Sequence, residues 1–152
     1  MLHLPLKQTD KVDLHKSLSS FVEVAYSSEQ ADEHRNAFHE VDTLRERMRQ
    51  AKLSESTAAE TVRVTLRYYR LITAMSSRFG DVVESSAAWV PFTWHNAMKP
   101  GDKCSRPELQ LEILCVLFNV AAALSYSATL EDCTTTTGLR TACQSFQYAQ
   151  RY

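Results

Sequence analysis

The side chains able to do chemistry are present in this chain, but their spacing does not bring them together. Five histidines (His3, His15, His34, His39 and His95) are scattered. His34 and His39 are five residues apart, so on a helix they point to different faces. Neither an HExxH helix nor a Cys/His zinc spacing occurs. Cys104, Cys115, Cys133 and Cys143 form no Cys-x-x-Cys, and Cys115 lies inside an apolar run, the usage of reduced, partly buried thiols in a cytosolic protein. Three glycines could hardly build a phosphate loop, and no GxSxG elbow or Rossmann fingerprint is found. Each Asp and Glu reads as a helix cap or a solvated face. The expectation is a protein that is not an enzyme, with no catalytic residue, metal, cofactor or small-molecule substrate.

Two polar features stand out. Arg63, Arg67 and Arg70 share one face of a helical stretch, with Arg45, Arg49 and Lys52 nearby on the preceding one. Such a strip could meet acidic lipid headgroups or an acidic partner, or it could be a solvated face paired with Glu55 and Glu60. Asn119 lies in the middle of an apolar run, where its amide needs partners; an interhelical hydrogen bond that fixes register is the simplest role.

That run organises the chain. Residues 113–130 carry no charge and are apolar almost all round a helical wheel, so the helix must be buried in protein or lipid. Its length reaches the threshold for a membrane span. Asn119, the hydroxyls Ser125, Ser127 and Thr129, and the acidic flanks Glu108, Glu112, Glu131 and Asp132 favour the core of a soluble helical domain.

The remaining elements must bury it. Leu2, Leu4 and Leu6 alternate with polar residues and predict an edge strand carrying Pro5. Asp10 or Asp13 could cap a first helix with Leu14, Leu18, Phe21, Val22 and Ala25 on one face. Ser27 or Ser28 opens a second, running to about Lys52, through Ala31, His34, Phe38, Val41, Leu44 and Met48. A third carries Ala59, Val62, Leu66, Tyr69, Ile72, Met75 and Phe79 and stops at Gly80, with a polar loop from Asp81 to Ser86. Ala88–Trp94 reads as a second short strand, able to pair with the first as a small ribbon, and Lys99–Lys103 as a loop. Pro107 suits the start of the apolar helix. A last helix, capped within Thr134–Thr137, carries Leu139, Ala142, Cys143, Phe146 and Ala149.

The totals agree: 152 residues, 44% hydrophobic and 23% charged, with a net charge of −1, describe an ordinary globular domain with no pull toward nucleic acid. The few glycines and prolines suit long helices.

Read in order, these pieces resemble the BRO-one domain family of Alix-, PalA- and rhophilin-type scaffold proteins. The resemblance rests on Leu4-Pro5-Leu6-Lys7-x-Thr9-x-x-Val12-Asp13-Leu14, Leu66-Arg67-Tyr68-Tyr69 with Arg78-Phe79, and Phe92-Thr93-Trp94. It continues through Val116-Leu117-Phe118-Asn119, Gly138-Leu139-Arg140-x-Ala142 and Phe146-Gln147-x-Ala149. Departures fall at Gly80, Asn96, Met98, Leu111-Glu112-Ile113 (where an aromatic-Glu-Lys triplet is usual) and Gln150-Arg151.

The resemblance implies a mainly α fold: a tetratricopeptide-like helical solenoid with a small N-terminal two-strand ribbon. It implies that residues 1–152 are the N-terminal part of one such domain, truncated at its C-terminal end. It also implies a non-catalytic scaffold, cytoplasmic and peripheral on endosomes, that binds the C-terminal tail helix of an ESCRT-III subunit. The groove residues do not carry over one by one. The alternative is a peripheral membrane-binding module using Arg63, Arg67 and Arg70.

Overall fold

Apolar residues at helical spacing place the first elements. In the computed structural model, which describes residues 3–87 and 89–151, α1 (Leu14–Ala25) buries Leu14, Leu18, Phe21 and Val22. Asp13 caps it, accepting the Lys16 N–H at 2.8 Å. Asp42 accepts the Leu14 N–H at 2.8 Å, so a carboxylate on a neighbouring helix satisfies another orphan donor of that first turn. Ser27 caps α2 (Ser28–Glu33) through the Gln30 N–H. The single second helix expected is in fact two: His34, at φ −94° and ψ 3°, turns the chain before α3 (Arg35–Gln50). α3 buries Phe38, Val41, Leu44 and Met48 as the spacing predicts, and Arg45 with them.

α4 (Ala58–Glu84) runs past Gly80, so neither the stop nor the polar loop expected there occurs. No glycine among the described residues takes the positive φ such a stop uses. The extra turn has a purpose: Glu84 accepts the Leu109 N–H at 2.7 Å and closes the start of the next helix. The buried face is also rotated from the expected one. Ala58, Thr61, Val64, Thr65, Tyr68, Ile72 and Met75 are buried, whereas Ala59 is exposed and Val62, Leu66 and Tyr69 are half-buried. The expectations placed on Leu2, Ala88 and the side chain of Phe79 lie outside the described residues.

The sheet is a hairpin rather than an N-terminal ribbon. β1 (Phe92–His95) pairs antiparallel with β2 (Lys103–Arg106), Phe92 opposite Arg106 and His95 opposite Lys103. The N-terminal segment reaches the other edge of β1 through one bridge, Thr9 to Trp94. The reason is local: Pro5 has no N–H, and the backbone of Lys7 is bonded to α5 instead.

α5 (Leu109–Thr129) is the central helix. By length and composition it could cross a membrane, yet it packs against α4, β1 and α6 (Thr136–Arg151), and half of its most apolar window is buried. α6 leans on α5 through Gly138 and Ala142; of its expected stripe, Leu139, Cys143 and Phe146 are exposed.

At Gly138 a Cβ would stand 2.1 Å from the Asp132 carbonyl oxygen, and Thr135 Oγ1 accepts the Gly138 N–H at 3.0 Å. Helix propensity alone favours alanine over glycine by about 1 kcal/mol. The backbone contact should reverse that sign, and Gly138→Ala should destabilise by about 1–3 kcal/mol in urea unfolding. A more stable variant would show that the turn before α6 yields freely.

Candidate functional site

Where α3, α4, α5, β1 and the N-terminal segment meet, a polar cluster is sealed in the core. Glu112 and Tyr68 are 0% exposed, Arg45 1% and Trp94 2%. Glu112 Oε1 accepts from Arg45 Nε at 2.9 Å and from the Tyr68 hydroxyl at 2.8 Å, and Oε2 accepts from Trp94 Nε1 at 2.6 Å. Arg45 spends its other donors on the Asp10 carbonyl at 3.0 Å and Thr9 Oγ1 at 2.9 Å. Its guanidinium also lies 5.4 Å from the Phe92 ring centre. Burial opposes the charge on Arg45, but the Glu112 carboxylate outweighs it and holds the guanidinium above its ordinary range. Burial, then the charge of Glu112, pushes the Tyr68 hydroxyl well up.

This cluster overturns two expectations. Glu112 is not an acidic flank, and Arg45 is not part of a basic strip. Both belong to a closed network joining five segments. The sequence carried a signal for it: Glu112 is in phase with buried Val116, Asn119 and Ala123, and Arg45 with Val41 and Met48. A charge on a buried stripe requires a partner. Chemically the cluster positions chain segments; its acceptors are filled by donors of this protein.

Asn119 plays the second positioning role, with a backbone partner rather than another helix. Its Oδ1 accepts the Lys7 N–H at 2.7 Å and its Nδ2 donates to the Lys7 carbonyl at 3.0 Å. The amide thus acts as a strand edge toward one residue of the N-terminal segment. Asp10 N–H to the Thr93 carbonyl at 3.1 Å and His95 N–H to the Gln8 carbonyl at 2.9 Å extend the same fastening.

Arg63, Arg67 and Arg70 are exposed on α4. Arg63 bonds Glu60 at 2.8 and 2.9 Å, Arg67 bonds Glu40 on α3, and Arg47 also reaches Glu60. Arg70 has no ion pair among the described residues. The strip is therefore laced with carboxylates. Arg49 pairs with Glu46 through two bonds of 2.7 Å, and that hydrogen bonding holds the Glu46 carboxyl down at about 2. A depressed carboxyl stabilises the fold above its unfolded pKa, near 4.5, and that contribution fades as pH falls toward 2. The acid limb of a melting-temperature profile between those values should flatten in Glu46→Gln; an unchanged limb would remove the pair from acid sensitivity.

The four cysteines are unpaired, with Cys115 buried and its thiol pushed up to about 11 by burial. No group of three or more metal-ligating side chains gathers among the described residues.

All 152 residues match the BRO1-like domain. The chain is 32% identical over 156 residues to programmed cell death 6-interacting protein of Xenopus laevis, covering 97% of this chain and 17% of that protein. It is 30% identical over 149 residues to vacuolar protein-sorting protein bro1 of Aspergillus fumigatus, covering 97% and 14%. It superposes on a chain of the ALIX BRO1 CHMP4C complex with a TM-score of 0.85 at 28% identity, over 98% of this chain and 43% of that one. A Bro1 domain solved as the basis for endosomal targeting gives 0.66 at 27% identity, over 85% and 35%. The chain thus spans under a fifth of these curated relatives and under half of either solved chain. A mainly helical body, a hairpin clasped to its central helix and a match along every residue carry one conclusion: the chain belongs to the BRO1-like domain family.

Proposed function

We propose that this chain works within a non-catalytic adaptor of endosomal sorting, cytoplasmic and peripheral on endosomes, whose domain holds the C-terminal helix of an ESCRT-III subunit in an apolar groove. The observation that carries the reading is the superposition, at a TM-score of 0.85 over 98% of the chain, on a BRO1 domain solved with CHMP4C. The finer architecture belongs to the same proposal: residues 1–152 as the N-terminal portion of a single domain built as a tetratricopeptide-like solenoid. Consecutive helices α3, α4, α5 and α6, each packed on the next, support it. The scaffold role is supported by the sealed polar cluster, whose hydrogen bonds are spent on joining segments.

The test is a chimera in which this chain replaces the matching stretch of the ALIX BRO1 domain, titrated with a fluorescent peptide of the CHMP4C C-terminal helix. Affinity within about tenfold (about 1.4 kcal/mol) of the parent domain is expected. A folded chimera that no longer binds would overturn the reading.

A second reading, peripheral contact with acidic membranes, rests on the exposed Arg63, Arg67 and Arg70 face of α4. Glu40 and Glu60 already neutralise part of it, so Arg70 carries most of the free charge. Reversal of all three (Arg63→Glu, Arg67→Glu, Arg70→Glu) should abolish flotation with acidic liposomes; unchanged flotation removes this reading.

A further inference from the structure

The hairpin has one edge in use and one to spare. In an antiparallel pair, residues alternate between those whose backbone groups face the partner strand and those whose groups face away. Asn96 N–H donates to the Asp102 carbonyl at 2.8 Å, which sets the phase of the register. The Thr93 carbonyl and His95 N–H face the N-terminal segment, which agrees with it. On β2, therefore, Cys104 and Arg106 bond toward β1, while the amide and carbonyl of Lys103 and of Ser105 point outward. All of β2 is exposed, and no backbone group among the described residues pairs with that outer edge. Pro107, next in phase, ends the ladder: it has no N–H, and its carbonyl accepts from Trp89 Nε1 at 2.8 Å.

Charge selects the occupant. Lys99, Lys103 and Arg106 lie along this hairpin arm, against Asp102 and a Glu108 standing 3.8 Å from Arg106. A second copy of β2 laid on this edge with Lys103 opposite Lys103 would set like charges together, which disfavours that register. An acidic strand would not meet that repulsion. A hollow lies against one face of the hairpin, bordered by Asp102, Lys103 and Cys104 on the β2 side, Trp94 and Asn96 on the β1 side, Leu111 and Cys115 of α5, and Lys7. One turn further along α5, Leu114 is 62% exposed.

We propose that the outer edge of β2 takes an extended acidic peptide segment of a partner protein as an added strand, with one of its apolar side chains lodged in the hollow beside Leu111. The backbone of Lys103 and Ser105 supplies the ladder, the basic side chains select the charge, and the hollow selects the side chain.

The probe is an acetylated hexapeptide of alternating valine and glutamate, with a valine–lysine hexapeptide as its counterpart. On the unaltered protein, the acidic peptide should slow hydrogen exchange of the Lys103 and Ser105 amides at least fivefold. The Cys104 amide, already bonded to β1, should be unaffected. Ser105→Pro deletes only an outward N–H, a placement an edge strand accepts. It should weaken binding at least tenfold. Ser105→Ala controls for the Thr93–Ser105 side-chain bond of 2.9 Å and should bind normally. Three outcomes each overturn the proposal: equal binding by Ser105→Pro, equal binding of the basic peptide, or unchanged exchange at Lys103 and Ser105 with millimolar acidic peptide.

Discussion

Glu112→Ala should cost about 3–5 kcal/mol, because it strands the charge of Arg45, only 1% exposed, without its carboxylate partner. Domains of this size are stable by only about 5–15 kcal/mol, so the variant should sit near the edge of folding. The conservative change is informative as well. Glu112 receives three donors on two oxygens, from Arg45, Tyr68 and Trp94. An amide has one acceptor oxygen, so in Glu112→Gln its NH2 must face a donor in either orientation. That variant too should lose about 2–3 kcal/mol. Replacing the ion pair by apolar residues (Arg45→Met with Glu112→Leu) should recover part of the loss but not all. Tyr68 and Trp94 would remain buried donors without an acceptor, unlike an isolated pair that can be swapped without cost. Urea unfolding followed by circular dichroism measures the series, with Glu131→Ala as a surface reference. A loss below about 1 kcal/mol for Glu112→Ala would mean that the core relaxes to admit water.

Asn119→Ala should be the next most damaging change, at about 2–3 kcal/mol, since it removes both partners of Lys7 at once. Its effect should be concentrated in one segment. The Lys7 amide should lose protection from hydrogen exchange, and Asp10, bonded to the Thr93 carbonyl at 3.1 Å, should follow in part. The α4–α5 core should keep its protection. Asn119→Asp discriminates further: a carboxylate can still accept the Lys7 N–H, but its second oxygen then faces the Lys7 carbonyl. A Lys7 amide as protected in Asn119→Ala as in the parent would detach Asn119 from this role.

Helix positions were largely legible because their signal is local. Leu14, Leu18, Phe21 and Val22 needed only their own spacing, and side-chain chemistry narrowed the caps to Asp10 or Asp13 and Ser27 or Ser28, of which Asp13 and Ser27 serve. Gly80 misled because a glycine permits a stop without requiring one, and the helix is extended by what its end contacts, the Leu109 N–H. The phase of α4 was misread for a related reason: its buried face follows the Tyr68 hydroxyl to Glu112, a contact 44 residues away. β2 was missed because Lys-Cys-Ser-Arg has no strand pattern of its own; its register comes from β1. The polar cluster was illegible as a set, since a lone charge beside an apolar run reads as a flank until its partner is in view. Beside the exposed arginines Glu60 pairs with Arg63, as its closeness in sequence suggests, whereas Glu40, which meets Arg67, lies 27 residues away and could not be read as its partner.

The fastening of the N-terminal segment has a consequence in time. Lys7 and Asn119 stand 112 residues apart, and Arg45 and Glu112 stand 67 apart. At synthesis rates of about 5–20 residues per second, several seconds to some twenty seconds separate Lys7 from its partner. Through that interval α1 to α4 can form, but Arg45 must stay hydrated, and the core around Tyr68 cannot close. Only when α5 has been made do its carboxylate and its amide draw in the arginine and the leading segment together. Lys7 is made 112 residues before Asn119, yet it is among the last to dock.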